Sequence, residues 1–192
     1  MKKLSVLSVL FVLLAVGANA QTEQGRWVVS GKTGLDFLSN SEQAYYDGEK
    51  DGDRFKSSKL SFNAAVGYFV IDNLAVALGA GISTEKQGKS DPKTIMAVGP
   101  QVTYYFPLDG QVKPFLTAGG GFTTESYANK DESKFSGPFF GGGAGVAIFL
   151  HDNISLDLGA NYINTNVKNK ADKKEVYKTG TIGASVGFSL FF

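Results

Sequence analysis

The chain contains no cysteine and a single histidine, His151. It therefore forms no disulfides and has no thiolate metal sites. Neither sign of charge dominates, because 19 basic residues face 18 acidic ones, and this balance gives no bias towards nucleic acid. After residue 20 no apolar run reaches the roughly 20 residues that a spanning helix needs. Glycine and aromatic residues are abundant instead, which indicates a β-rich chain.

The N-terminal sequence MKKLSVLSVLFVLLAVGANA has the parts of a secretory signal peptide. Two lysines precede an apolar stretch, and the small-x-small triplet Ala18-Asn19-Ala20 follows it. The apolar stretch is too short for a spanning helix and no stop-transfer pattern follows, which argues against a membrane anchor. We expect residues 1–20 to be a cleaved signal peptide and residues 21–192 to form one domain.

Large apolar residues alternate with small or polar ones along the rest of the chain. In the final segment every second residue from Ile182 to Phe192 is apolar, and most residues between them are glycine or serine. A period of two indicates a strand whose two faces have different surroundings. Eight such segments predict strands at 26–39, 57–71, 74–85, 93–106, 112–125, 134–150, 154–166 and 177–192.

The predicted connectors alternate in length. Tight turns lie at 72–73, 107–111 and 151–153, and longer polar loops lie at about 40–56, 86–92, 126–133 and 167–176. The long loops and their adjoining strand ends hold 26 of the 37 charged residues. Short turns at one end and long loops at the other are typical of an outer-membrane barrel. The predicted fold is all-β, an eight-stranded antiparallel up-and-down transmembrane β-barrel.

A soluble sandwich or lipocalin-like barrel would instead turn its bulky residues inward. Here the opposite face is mostly glycine, serine, alanine and threonine, so we expect the bulky residues to face lipid. Aromatic residues of that face fall into two groups, as interfacial girdles would. The predicted girdle residues are Trp27, Tyr68, Tyr104, Phe106, Phe188 and Phe192 at the short-turn end, and Phe37, Phe62, Phe122, Phe140 and Tyr162 at the loop end.

Three stretches, GYFVIDNLAVALGAG (67–81), YYFPLDGQVKPFLTAGGG (104–121) and GFSLFF (187–192), resemble the OmpA/OmpX-like family of eight-stranded outer-membrane barrels. The resemblance, to a porin-family beta-barrel domain, implies a monomer in the outer membrane of a Gram-negative-type bacterium, in contact with its lipid and lipopolysaccharide. It also implies a C-terminal signal for the barrel-assembly machinery, carried by Val186, Phe188, Leu190 and Phe192.

Five aromatic residues near the short-turn end have the inward parity: Phe69, Tyr105, Phe115, Phe149 and Phe191. An eight-stranded barrel is only just wide enough for side chains. Five rings at one level therefore predict a plug at the periplasmic end, below a lumen lined by glycines and small polar residues. Ordinary filling of a narrow taper predicts nearly the same packing.

Four charged residues also have the inward parity: Lys32, Asp36, Lys113 and Asp157. Charges in so confined a space are expected to pair. A salt bridge of Lys32 with Asp157 or with Asp36 is the resulting prediction, with a structural role rather than that of an ion filter.

Catalytic and metal sites are not predicted, and neither is a cofactor. Acyl-chain chemistry would need a serine with a base within hydrogen-bond reach, but His151 lies in a predicted periplasmic turn, at the wrong end for an outer-leaflet substrate. The stretch DGEKDGD (47–53) departs from the calcium-loop pattern and lacks flanking helices.

The sequence thus predicts a non-catalytic barrel that serves envelope integrity or surface interaction through its loops, with a surface partner that the sequence does not identify. The alternative is a narrow pore or a conduit for small or apolar solutes. The fourth long loop could meet lipopolysaccharide phosphates or be simply a solvated charged loop; its lysines are Lys168, Lys170, Lys173, Lys174 and Lys178.

Overall fold

The computed structural model describes residues 22–46, 49–56, 58–86, 93–127, 130–170 and 174–192, without the side chains of 35–45, 50–56, 58–59, 86, 127 and 130–133. The expected signal peptide, residues 1–20, lies outside the described residues. The strands are β1 (Trp27–Tyr46), β2 (Glu49–Lys56), β3 (Ser58–Ile71), β4 (Leu74–Lys86), β5 (Lys93–Tyr105), β6 (Val112–Tyr127), β7 (Lys130–His151), β8 (Ile154–Asn169) and β9 (Glu175–Phe191).

All strands form one closed antiparallel sheet. From β3 to β9 each strand pairs with the next, and β1 pairs with both β3 and β9, which closes the ring. The short β2 pairs with β1 at the loop end, from Ser41 to Tyr46, whereas β3 pairs with β1 from Trp27 to Leu35. We therefore count β2 and β3 together as one strand of the barrel wall. The architecture is the predicted eight-stranded barrel. No helix within the described ranges is long and apolar enough to cross a membrane.

The closing seam joins the two ends of the described chain. The amide of Trp27 donates to the carbonyl of Phe192 at 3.0 Å, and the amide of Phe192 donates back to the carbonyl of Trp27 at 2.9 Å. From there the pairing of β1 with β9 runs from Val28 opposite Phe191 to Tyr46 opposite Glu175, with a register shift between Leu35 and Ser39.

The strands continue further into the predicted loops than the sequence indicated. The predicted loop 40–56 contains the end of β1 and all of β2, while β7 begins at Lys130 and β9 at Glu175. Antiparallel backbone hydrogen bonds form equally well where both faces are polar. Charge content therefore locates the edge of the apolar band and not the ends of the strands.

The tight turns fix the opposite end of the barrel. Asn73, in the turn between β3 and β4, has φ of 66°, the positive value that the Asp-Asn pair favours. Its carbonyl accepts a hydrogen bond from the amide of Tyr105 at 2.8 Å, which ties the turn to β5. The turn between β7 and β8 is similarly short, at residues 152–153.

Bulky apolar side chains lie on the outer face, where a soluble barrel would have polar ones. Leu78 is 62% exposed, Phe122 70% and Phe140 63%. The other expected girdle residues Trp27, Phe62, Tyr68, Tyr104, Phe106, Tyr162 and Phe188 are also exposed, and Phe192 is half-buried. The side chain of Phe37 lies outside the described part of the structure.

Candidate functional site

Five aromatic rings meet inside the barrel at the short-turn end. We call Phe69, Tyr105, Phe115, Phe149 and Phe191 the aromatic cluster; each is at most 4% exposed. The Phe191 ring packs against Phe149, with centroids 5.1 Å apart, and against Tyr105 and Phe69 at 6.1 and 6.2 Å. Tyr105 also contacts Phe69 and Phe115 at 5.8 and 5.9 Å. Phe191 therefore lies at the centre of a continuous layer of rings.

Small residues on the facing strands make room for these rings. A Cβ atom at Gly145 would lie 2.5 Å from Cζ of Phe115, and one at Gly159 would lie 3.6 Å from the same atom. Ala75 and Ala147 are buried beside the rings. The small-residue face of each strand thus complements the large rings of its neighbours.

The segment before β1 closes over the same end. The hydroxyl of Thr22 donates to Oδ1 of Asn73 at 2.6 Å, and the amide of Asn73 donates to the carbonyl of Thr22 at 2.7 Å. The amide of Gly25 donates to the carbonyl of Phe69, and Arg26 donates from its guanidinium to the carbonyl of Phe191. These bonds hold residues 22–26 against the aromatic cluster.

A buried carboxylate lies beside the cluster. Asp157 is 1% exposed, and its two oxygens accept hydrogen bonds from the hydroxyls of Ser155 and Ser189, both at 2.6 Å. Nζ of Lys32 lies 3.2 Å from Oδ2 of Asp157 and 4.7 Å from the centroid of the Phe115 ring. The carboxylate is thus paired and hydrogen-bonded, as burial of a charge requires.

The other two charged residues predicted to face inward, Lys113 and Asp36, are not part of the Lys32–Asp157 pair among the described side chains. Lys113 is half-buried two residues from Phe115, and among the described side chains it is not a partner of Asp157. The side chain of Asp36 lies outside the described residues. Of the two pairings that the sequence left open for Lys32, the one with Asp157 is present.

A cavity of about 250 Å³ lies in the lumen beyond the cluster. Phe115 and Lys32 contribute to its wall, together with polar side chains such as Asn63, Gln101 and Asn161. Glycine and alanine make up much of the remaining lining. The lumen is thus open enough for water or a small solute above a layer packed with rings.

A second set of buried charges lies at the loop end and was missed by the sequence analysis. Nζ of Lys93 lies 3.0 Å from Glu125 and 3.5 Å from Glu85, and all three residues are at most 6% exposed. Glu85, Lys93 and Glu125 each lie two positions from an inward-facing residue of the same strand, which is Ser83, Ile95 and Thr123 respectively. That alternation was the available signal, but these strand ends were counted together with the charged loops.

A smaller cluster closes part of the loop end between β7 and β9. The Phe135 and Tyr177 rings pack edge to face, with centroids 5.1 Å apart, beside the fully buried Val167. Glu175 accepts hydrogen bonds from the hydroxyl of Tyr177 at 3.1 Å and from the side-chain amide of Asn169 at 2.5 Å. The inward face therefore remains occupied above the cavity.

The residues considered for catalysis and assembly lie away from the lumen. His151 is exposed at the end of β7. Val186 and Phe188 face outward, and Leu190 and Phe192 are half-buried on the same seam strand. Within the described ranges, no three or more histidine or carboxylate residues are grouped as a metal would require.

The fold has relatives among solved structures. Neisserial surface protein A shares 19% identity over 87% of this chain and 99% of its own, with a TM-score of 0.61. OprG from Pseudomonas aeruginosa shares 16% identity over 91% and 99%, with a TM-score of 0.55. The outer membrane protease OmpT from Escherichia coli, at 7% identity over 86% and 97% and a TM-score of 0.51, shows that the architecture also accommodates an enzyme.

Comparison with curated protein sequences gave no significant match. A family profile, in contrast, matches residues 6–189, which is nearly the whole chain. Its description, outer membrane protein beta-barrel domain, agrees with the closed eight-stranded wall and the apolar outer face. The chain belongs to the outer membrane beta-barrel family, and this membership implies an outer-membrane location.

Proposed function

We propose that the protein is a non-catalytic integral outer-membrane barrel, closed at its periplasmic end, that serves envelope integrity or surface interaction through its extracellular loops. The observation that carries the proposal is the aromatic cluster. Its rings lie 5.1 to 6.2 Å apart, which is ordinary ring-to-ring packing distance. Such packing supports a layer that is closed to a hydrated ion.

The test is ionic conductance of the refolded chain 21–192 in a planar bilayer. Wild type should be silent, whereas the variant Phe69→Ala/Phe115→Ala/Phe149→Ala should conduct, because removing three rings opens the layer around Phe191. The matched control, Phe62→Ala/Phe122→Ala/Phe140→Ala, removes three rings from the outer face and should remain silent. Steady conductance of wild type would overturn the closure.

A narrow porin-like channel, or a conduit for small or apolar solutes, is the second candidate. It is favoured by the cavity of about 250 Å³ and its lining of small residues. Steady wild-type conductance, or uptake of a small solute by vesicles that contain wild type, would make this the leading function.

The surface role and the lack of catalysis have separate tests. Deletion of Tyr45 to Asp53, which removes the end of β1 and the first part of β2, should abolish surface binding while the barrel still folds. His151→Ala should leave the mass of lipid A unchanged. A mass change would point to an enzyme instead.

The route to the membrane is part of the same proposal. Cleavage before Gln21 and recognition of Val186, Phe188, Leu190 and Phe192 by the barrel-assembly machinery would deliver a monomer to the outer membrane. Edman sequencing of the membrane-extracted protein tests the cleavage. Phe192→Ser should reduce the amount of barrel inserted in cells without abolishing refolding in detergent.

A further inference from the structure

We propose that the lumen cavity binds a small, uncharged solute with several hydroxyl groups, of the size of a monosaccharide. The side-chain amides of Asn63, Gln101 and Asn161 would hold it, and we call these three residues the lumen amides. The inference goes beyond the proposed function, because it concerns binding inside the lumen and holds whether or not the periplasmic end is closed.

The lumen amides come from three strands, β3, β5 and β8, and line the same cavity. Each lies opposite a glycine on a neighbouring strand: Asn63 opposite Gly81, Gln101 opposite Gly119 and Asn161 opposite Gly143. Polar groups therefore reach the cavity from several sides of the barrel, and the residue beside each of them is small.

Two of the amides extend over glycines of β4. The nearest atom to a Cβ built at Gly81 is Oδ1 of Asn63, and the two would collide. The nearest atom to a Cβ at Gly79 is Oε1 of Gln101, at 3.5 Å. Larger residues on this part of β4 would crowd the amides and reduce the cavity.

The lumen amides are not used to hold the barrel together. Among the described residues, no hydrogen bond joins any of their side chains to another protein group. Asn63 has the inward parity of Phe69 and is nevertheless exposed, so its accessible surface faces the cavity. Polar groups in confined places are normally hydrogen-bonded, and here the partner has to be water or a bound solute.

The chemistry of the amides favours hydroxyl groups. A side-chain amide donates through its nitrogen and accepts through its oxygen, and a hydroxyl group also does both. A carboxylate or phosphate oxygen without a proton only accepts, and an apolar solute would leave the amides unpaired, which is unfavourable. A solute with several hydroxyl groups satisfies both the donors and the acceptors.

The charge and the size of the cavity agree with this class of solute. Lys32 is the one charged residue among the described residues that line the cavity, and its ammonium group already lies 3.2 Å from the carboxylate of Asp157. The volume of about 250 Å³ would hold roughly eight water molecules at about 30 Å³ each. It lies just below the range of about 300–1,000 Å³ that is typical of sites for drug-sized ligands. An uncharged molecule of monosaccharide size is therefore expected to fit.

The test is a titration of the isotope-labelled chain 21–192, refolded in dodecylphosphocholine, with methyl β-glucoside. Nuclear magnetic resonance follows the side-chain amide signals. Those of the three lumen amides should shift together, with one dissociation constant. The signals of Asn164 and Asn166, which do not line the cavity, should stay in place.

Substitution of the amides measures their contribution. Asn63→Leu/Gln101→Met/Asn161→Leu keeps the side chains similar in size and should weaken binding about tenfold or more, because hydrogen bonds from all three are lost. The gel-mobility shift shows whether this variant folds. If it does not fold, the single variants Gln101→Met and Asn161→Leu should each weaken binding several-fold.

The matched control is Asn164→Leu/Asn166→Leu/Gln111→Met, which changes three amides outside the cavity and should bind as wild type does. Equal weakening in this control would overturn the proposal. Absence of any shift of the lumen amide signals in wild type would overturn it too, because the cavity would then hold water alone.

Two further solutes test the chemical class. Cyclohexanol has a ring of similar size with a single hydroxyl group, and gluconate carries a negative charge; both should bind more weakly than methyl β-glucoside. Equal or tighter binding of either one would contradict an uncharged solute with several hydroxyl groups. Conductance is measured separately, so a failure of sugar binding and a failure of the proposed closure are distinguishable.

Discussion

The ring of Phe115 fills the space that a side chain at Gly145 would need. The two residues are register partners on β6 and β7, and a Cβ atom at Gly145 would come 2.5 Å from Cζ of the ring, besides meeting the backbone carbonyl oxygen of Leu158. The glycine is therefore required for the position of the ring, and the ring forms part of the aromatic cluster. Stability and closure of the barrel are coupled at this pair.

Gly145→Ala should destabilise the barrel by about 1–3 kcal/mol, since overpacking displaces Phe115 or the strand backbone. The measurement is urea unfolding in lipid vesicles, followed by fluorescence of Trp27. Gly31→Ala is the matched control, because its Cβ would meet no atom closer than 4.0 Å. Equal stability of both variants would mean that the ring of Phe115 and the backbone at Leu158 both move aside freely.

Asp157→Asn should destabilise the barrel by about 1–3 kcal/mol. The substitution removes the partner charge of Lys32, which is 26% exposed, and disturbs the serine hydroxyls that donate to the carboxylate. The double variant Lys32→Met/Asp157→Asn should lose less than the sum of the two single variants. Additive losses in this unfolding cycle would contradict a direct interaction.

Lys93→Met should destabilise the loop end, because it leaves the buried carboxylates of Glu85 and Glu125 without the ammonium group between them. Adding Glu125→Gln to this variant should recover part of the loss, since it reduces the remaining repulsion. Thermal unfolding followed by circular dichroism measures both changes. A lower melting temperature for the double variant than for Lys93→Met would argue against this account.

Leu78→Arg should impair folding into vesicles far more than Ser83→Arg. Leu78 is 62% exposed on the lipid-facing side, whereas Ser83 is 7% exposed and lines the cavity. Arginine at the bilayer midplane costs about 2–4 kcal/mol. Comparable folding yields, measured by the gel-mobility shift of folded barrels, would require the facing of β4 to be reversed.

The wall of the barrel was predictable from the sequence because lipid and lumen impose opposite demands on alternate residues. The period of two alone placed Phe69, Tyr105 and Phe149 on one face and Leu78 on the other. The inward position of Lys32 and Asp157 followed from the same alternation. What the alternation left undetermined was the partner of Lys32, because that depends on the register between strands distant in sequence.

The loop end was less predictable. Glu85, Lys93 and Glu125 are compatible with the lumen because the ammonium group of Lys93 pairs with both carboxylates across three strands, and a single strand read alone carries no sign of this. The register shift of β1 between Leu35 and Ser39 is a second limit, because the alternation of residues in the sequence gives no sign of it.

The hydrogen bonds between Trp27 and Phe192 belong to the pairing that closes the barrel. Its hydrogen bonds join the first strand, β1, to β9, so one edge of β1 stays open until β9 has paired with it. A chain shortened at its C-terminus would expose two unpaired strand edges, the surface from which strands aggregate. The pairing of β1 with β9 thus protects the barrel against aggregation through its strand edges.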